Sequence, residues 1–344
     1  MTSLERMLTT LQHKEPDRVP LFLTLTLQGA KTLGMGIREY FSRPENVVEG
    51  QLRKRAKYRD DIVTNFFYGA IDAEPFGSRT RWFEDGPPNA GEPCIRRPED
   101  ILRLEPPKVA ESASLQRVLR ATELLKERIG DDALILGIVI SPFGLPVMQM
   151  GFGPYIELIY ERPELFERLM QVNEAFCVEY ANAQLAAGCH AIGYFDPVST
   201  ATIIPPELYR TTGLRVANRV LSQLNGPTVT LLASGDTLPM VDDVASTGTL
   251  AFTPSPTEDL AEVKRRTAGK IAIIGNLNGV EMRTWSPQQA AAKTEAVIRT
   301  AGPGGGLIVC DAHGEIPWQV PEDVLEAIAE TVHEKGRYPL GYES

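Results

Sequence analysis

The chain has 344 residues, of which 43% are hydrophobic and 23% charged, and its net charge is −10. This is the profile of a globular protein, and with no basic stripe a nucleic-acid partner is not expected. No run reaches the ~18 apolar residues that a membrane span needs.

The four cysteines, Cys94, Cys177, Cys189 and Cys310, are scattered and form no CxxC pair. That argues for a reducing compartment and against a disulfide framework. The first twenty residues hold no apolar stretch of signal-peptide length. A cytoplasmic enzyme is the expectation.

The N-terminus opens with a helix. Thr2 and Glu5 have capping-box spacing, and Leu4, Met7, Leu8 and Leu11 follow on one face. Eight short apolar runs then alternate with helical patterns: Val19–Leu25, Ile62–Phe66, Leu134–Ile140, Ala191–Phe195, Thr228–Leu232, Thr249–Phe252, Ile271–Ile274 and Leu307–Val309. Among the helices, 163–187 begins with Pro163 and ends at Gly188. The 257–268 segment has acids at its start and bases at its end, which complements the helix dipole. Two more are expected over 286–300 and 321–335. The stretch 78–107 breaks the rhythm with Pro87-Pro88 and Pro106-Pro107. It reads as an insertion after the second strand, with Arg79 to Phe83 as a hairpin arm.

Strand–helix alternation implies a parallel sheet, and eight units imply closure into a single (β/α)₈ TIM-type barrel spanning 1–344. In such barrels the chemistry lies at the C-terminal ends of the strands. Those ends hold Thr26-Leu27-Gln28, Asn65 to Tyr68, Ser141-Pro142, Asp196-Pro197, Ser234-Gly235-Asp236, Asn276 to Asn278, and Cys310 to Glu315. His313 is the leading acid–base candidate, with Asp196 and Asp236 to orient a substrate. Asp196 also reads as a helix cap or loop residue, and Asp236 or Thr237 as an N-cap. Asn276 and Glu74 offer further polar contacts, each with a turn or solvated-loop reading beside it. Cys310 and His313 are a minimal metal pair, short of the ligands zinc wants. Cys189 and His190 fall at a strand start, on the opposite face, and read as structural. His13 and His333 are expected on helix surfaces.

The order of Asp17-Arg18-Val19-Pro20, Ala73-Glu74-Pro75-Phe76-Gly77, Ser141-Pro142-Phe143, Tyr194-Phe195-Asp196-Pro197, Gly275-Asn276-Leu277-Asn278 and His313-Gly314 resembles the uroporphyrinogen decarboxylase superfamily. That family also contains zinc- and corrinoid-dependent methyltransferases, and the resemblance implies a distorted (β/α)₈ barrel. Its decarboxylases carry Arg-Gln-Ala-Gly-Arg after the first strand, with two arginines on substrate carboxylates. Here the stretch is Leu27-Gln28-Gly29-Ala30-Lys31, and Tyr68 stands at the position of an aspartate. The resemblance therefore implies substrate contacts at Gln28, Lys31, Tyr68, Glu74, Asn276 and Glu315. Its methyltransferases bind zinc through His-x-Cys-Gly and a later cysteine. Here Leu232 and Ser234 precede Gly235, and His313 stands at the later position. Any metal would fall to Cys310 and His313, with Asp311, Glu315, Glu74 or Asp236 as a further ligand.

The pattern looks more like the methyltransferase branch. It implies transfer of a methyl group from a small ether or amine to a corrinoid (cobalamin) on a partner protein, since no Asp-x-His-x-x-Gly appears. A decarboxylase using Lys31 as anchor, and a barrel that only binds ligand, are the alternatives. The resemblance also implies a homodimer.

Overall fold

The computed structural model describes residues 1–341. The strands run β1 (Ile62–Thr64), β2 (Thr80–Arg81), β3 (Asn89–Ala90), β4 (Leu134–Ile140), β5 (Ala191–Phe195), β6 (Thr228–Leu231), β7 (Ala251–Phe252), β8 (Ala272–Ile274) and β9 (Leu307–Ile308). Seven form one parallel sheet in the order β1-β4-β5-β6-β7-β8-β9. The first apolar run supplies the eighth stave. Leu21 pairs in parallel with Val309. The Phe22 amide donates to the Val309 carbonyl, and the Asp61 amide donates to the Leu21 carbonyl. The run thus sits between β9 and β1, and the sheet closes into a barrel.

The expected helices form for the expected reasons. Thr2 and Glu5 make the capping box of Ser3–Leu11, and Ser286 with Gln289 makes that of Pro287–Ala301. The 25-residue helix Pro163–Ala187 starts at its proline and stops at Gly188, whose φ is 121°. In the insertion, β2 and β3 pair as a small antiparallel hairpin.

A buried ion cluster ties the first stave to β1. Asp61 accepts from Arg6 Nη1 at 2.6 Å, from both Arg18 Nη atoms at 2.7 and 3.0 Å, and from the Leu21 amide at 2.8 Å. The Asp17-Arg18-Val19-Pro20 motif is therefore part of the N-terminal closure of the barrel. Its place is opposite the face where chemistry is expected.

Two histidine expectations are corrected. His333 is buried, not on the surface, and its Nε2 lies 3.0 Å from the Tyr58 carbonyl oxygen. Burial pushes its pKa down to about 4. His13 lies beyond the first helix at φ 56°, half-buried. Cys189 and His190 do lie before β5, and His190 Nδ1 accepts the Ile135 amide.

Candidate active site at the barrel mouth

The chain leaves β9 through Val309 and Cys310 and turns back on itself. Asp311 makes that turn. Its Oδ2 accepts the amides of His313 (3.0 Å) and Gly314 (3.1 Å), a local Asx arrangement that holds the loop without a helix. Gly314 has φ 89°, and a β-carbon there would stand only 3.1 Å from the ring of Phe195. The positive φ and the close ring both favour glycine.

This turn presents two titratable groups. His313 is half-buried, and its Nδ1 accepts the Gly279 amide at 3.2 Å. The proton of the neutral ring is therefore on Nε2. Burial lowers its pKa, so the imidazole is neutral at pH 7. Glu315 lies across the end of the first stave. It accepts from the Thr26 amide at 3.2 Å, from the Leu27 amide at 3.4 Å and from the Thr26 hydroxyl. Burial pushes its carboxyl up to about 8, against the opposing effect of these donors. Glu315 is thus mostly a neutral acid at pH 7, able to donate a proton.

Below this layer, Cys310 points to the barrel interior. Its Sγ lies 3.3 Å from Thr24 Oγ1, and burial, with Asp311 beside it, pushes the thiol well above its ordinary pKa. Cys310, Asp311, Phe22, Thr24, Leu231 and Thr253 line a small enclosed cavity. At the end of β6, Ala233 and Ser234 both take positive φ, 48° and 67°. Two consecutive strained residues at a barrel mouth fit a built site.

The other expected site residues scatter. Asn276 is buried and donates from Nδ2 to the Ser255 carbonyl. Asp196 does not join His313. Phe195 faces the barrel interior, so the next residue faces the helices, where Asp196 accepts from the Ser199 hydroxyl at 2.8 Å. It is fully buried there, and burial raises its carboxyl to about 6. Asp236 is exposed, and its amide is held by Thr202 Oγ1. It caps no helix; Thr237 occupies that position. Gln28 donates to the Ile316 carbonyl, and Lys31 donates to the Trp318 carbonyl and lies over the Trp318 ring. Both line an outer groove with Lys57, Tyr58 and Glu322, so neither is an anchor inside the mouth. Tyr68 is buried and donates its hydroxyl to Glu74 at 2.7 Å, which places this pair in the wall. Thr26 lies at an expected strand end, whereas Thr24, one turn of the pleat earlier, is a site residue that sequence reasoning missed. The signal was their alternation within Leu23-Thr24-Leu25-Thr26.

Comparison with known proteins places this geometry. The family described as uroporphyrinogen decarboxylase (URO-D) matches residues 2–335. The chain belongs to the uroporphyrinogen decarboxylase family. Curated uroporphyrinogen decarboxylases are similar at low identity. That of Methylococcus capsulatus is 29% identical over 303 residues, covering 85% of this chain and 84% of its own. That of Xylella fastidiosa is 24% identical, covering 98% of this chain and all of its own. Among solved structures, a methyltransferase from Methanosarcina mazei superposes with a TM-score of 0.81 at 19% identity, over 97% of this chain and 99% of that one. At that identity the match speaks for the fold.

Within the family, this mouth departs from the zinc pattern. Leu232 is fully buried and has no donor atom, and the Ser234 carbonyl is engaged by Ser255 Oγ. Among the described residues, no three His, Cys, Asp or Glu side chains converge as a metal site. The donor set does not fit zinc. What the mouth offers is a neutral carboxyl, a neutral imidazole and hydroxyls. No helix among the described residues is long and apolar enough to cross a membrane.

Proposed function

We propose that the protein removes a methyl group from a small methylated substrate, an ether or an amine, for delivery to a corrinoid carried by a partner protein. The observation that carries this reading is Glu315, a carboxyl at the mouth that burial keeps protonated at neutral pH. An ether needs such an acid. The methyl–oxygen bond breaks, its electron pair stays on oxygen, and the Glu315 proton goes to that oxygen. A reduced corrinoid, when bound, would supply the nucleophile for the methyl carbon. Thr26 holds the Glu315 carboxyl in place, and His313 Nε2–H is free to hydrogen-bond the leaving oxygen. With Leu27 at the end of the first stave and Lys31 turned outward, that stave end offers no cation to the carboxylates of a tetrapyrrole.

Decarboxylation of a carboxylated substrate is the second reading. The curated relatives named as uroporphyrinogen decarboxylases favour it, and the same acid would protonate the carbon left behind. The two are separated by one assay pair. Anaerobic incubation with chemically reduced cobalamin and a panel of methyl ethers and methylamines is followed by visible absorbance. Uroporphyrinogen and smaller carboxylates are tested for CO₂ release. Protein-dependent consumption of reduced cobalamin is expected. CO₂ release without it would overturn the methyl-transfer reading.

A further inference from the structure

Beside the mouth, the insertion hairpin builds a second pocket. Arg38, Arg79, Arg117, Trp82, Phe41 and Thr80 line it, with Glu74 and Ser42 at its edge, in an open volume of about 430 Å³. Three arginines face one carboxylate there. That carboxylate is already engaged by the hydroxyls of Tyr68 and Thr80, and Arg117 Nη2 stands 3.8 Å away. Arg38 and Arg79 form no ion pair among the described residues. Arg117 lies 5.9 Å over the Phe66 ring, and its buried Nε has no hydrogen-bond partner. A buried donor left unmade is costly unless something fills it. The aromatic wall is fixed, because Trp82 packs on Tyr68 at 5.3 Å and on Phe41 at 6.3 Å.

We infer that this rim pocket binds a small organic anion, a carboxylate or phosphate attached to a flat apolar group. The anion would sit among the three guanidiniums, whose fork geometry suits both groups. The flat part would lie against Trp82 and Phe41. This inference does not depend on the methyl-transfer reading, and binding can be measured without turnover.

The probes are phenyl phosphate, benzoate and inorganic phosphate, titrated into the intact protein by calorimetry. Trp82→Phe, which preserves a ring, is titrated alongside by fluorescence. Saturable, salt-weakened binding of phenyl phosphate or benzoate is expected, with inorganic phosphate weaker because it lacks the stacked group. Tighter binding of phenyl phosphate assigns a phosphate ligand, and tighter binding of benzoate a carboxylate. Arg79→Gln, on the exposed hairpin, should weaken the better probe about tenfold or more. Arg117→Gln should do the same, and the exposed Arg79 variant keeps the test open if that protein fails to fold. Phenyl phosphate fluorescence quenching should fall in Trp82→Phe. No saturable binding of either aromatic probe, or binding unchanged in Arg79→Gln, would overturn the inference.

Discussion

Replacing Glu315 by Gln tests the charge state on which the site reading rests. Burial raises the carboxyl from its ordinary 4.5 to about 8. The folded protein therefore holds this proton more tightly than the unfolded chain. The resulting stability is full below about pH 4.5, falls as pH rises, and is lost above about pH 8. At ~1.4 kcal/mol per pH unit that span sets an upper limit of about 5 kcal/mol. Glu315 reaches solvent at the mouth, and screening reduces the figure to about 2 kcal/mol. Gln keeps the shape and one acceptor for the Thr26 amide but cannot ionise. Urea denaturation of both proteins from pH 5 to 9 should therefore show the wild type losing about 2 kcal/mol relative to Glu315→Gln. Asp60, Asp72 and Asp196, which burial also raises, to about 6, 7 and 6, contribute equally to both curves. Parallel curves across that range would refute a protonated Glu315.

Two further outcomes follow from the same geometry. Asp61→Ala removes four donors' partner at the barrel closure and strands Arg18, so urea denaturation should show a loss of about 3–5 kcal/mol; a loss under 1 kcal/mol would contradict the role given to this cluster. Purified untagged protein should carry far less than one zinc per chain by plasma mass spectrometry, because Leu232 and Ser234 stand where ligands would be needed and no three ligating side chains converge among the described residues; stoichiometric zinc that disappears in His313→Ala would show a rebuilt site.

The barrel was largely legible because its staves are apolar on both faces and its helices carry their own start and stop residues. The first stave shows where this stops. Val19–Leu25 reads as a strand, yet it joins the sheet mainly at Leu21 and Phe22. The location of the mouth was also legible, since strand ends follow from the strands. Which strand-end residues enter the mouth was not. Asp196 turns outward because Phe195 turns inward, an alternation that continues past the last paired residue. Lys31 turns to Trp318, a tertiary contact that local spacing does not encode. His333 is buried because its helix packs on the end of another, at Tyr58. Arg38, Arg79 and Arg117 come from three separate segments and share no spacing. The raised pKa of Glu315 is likewise a product of burial against the first stave.

The measurement that bears most directly on the central claim is the pH dependence of single-turnover methyl transfer to reduced cobalamin, from the best ether of the panel, in wild type and Glu315→Gln. The account predicts a wild-type rate that is flat to about pH 7 and falls above about pH 8, as the acid loses its proton. It predicts a Glu315→Gln rate about 100-fold lower, without that fall. An unchanged rate in the variant, or a wild-type rate that rises through pH 8, would contradict it.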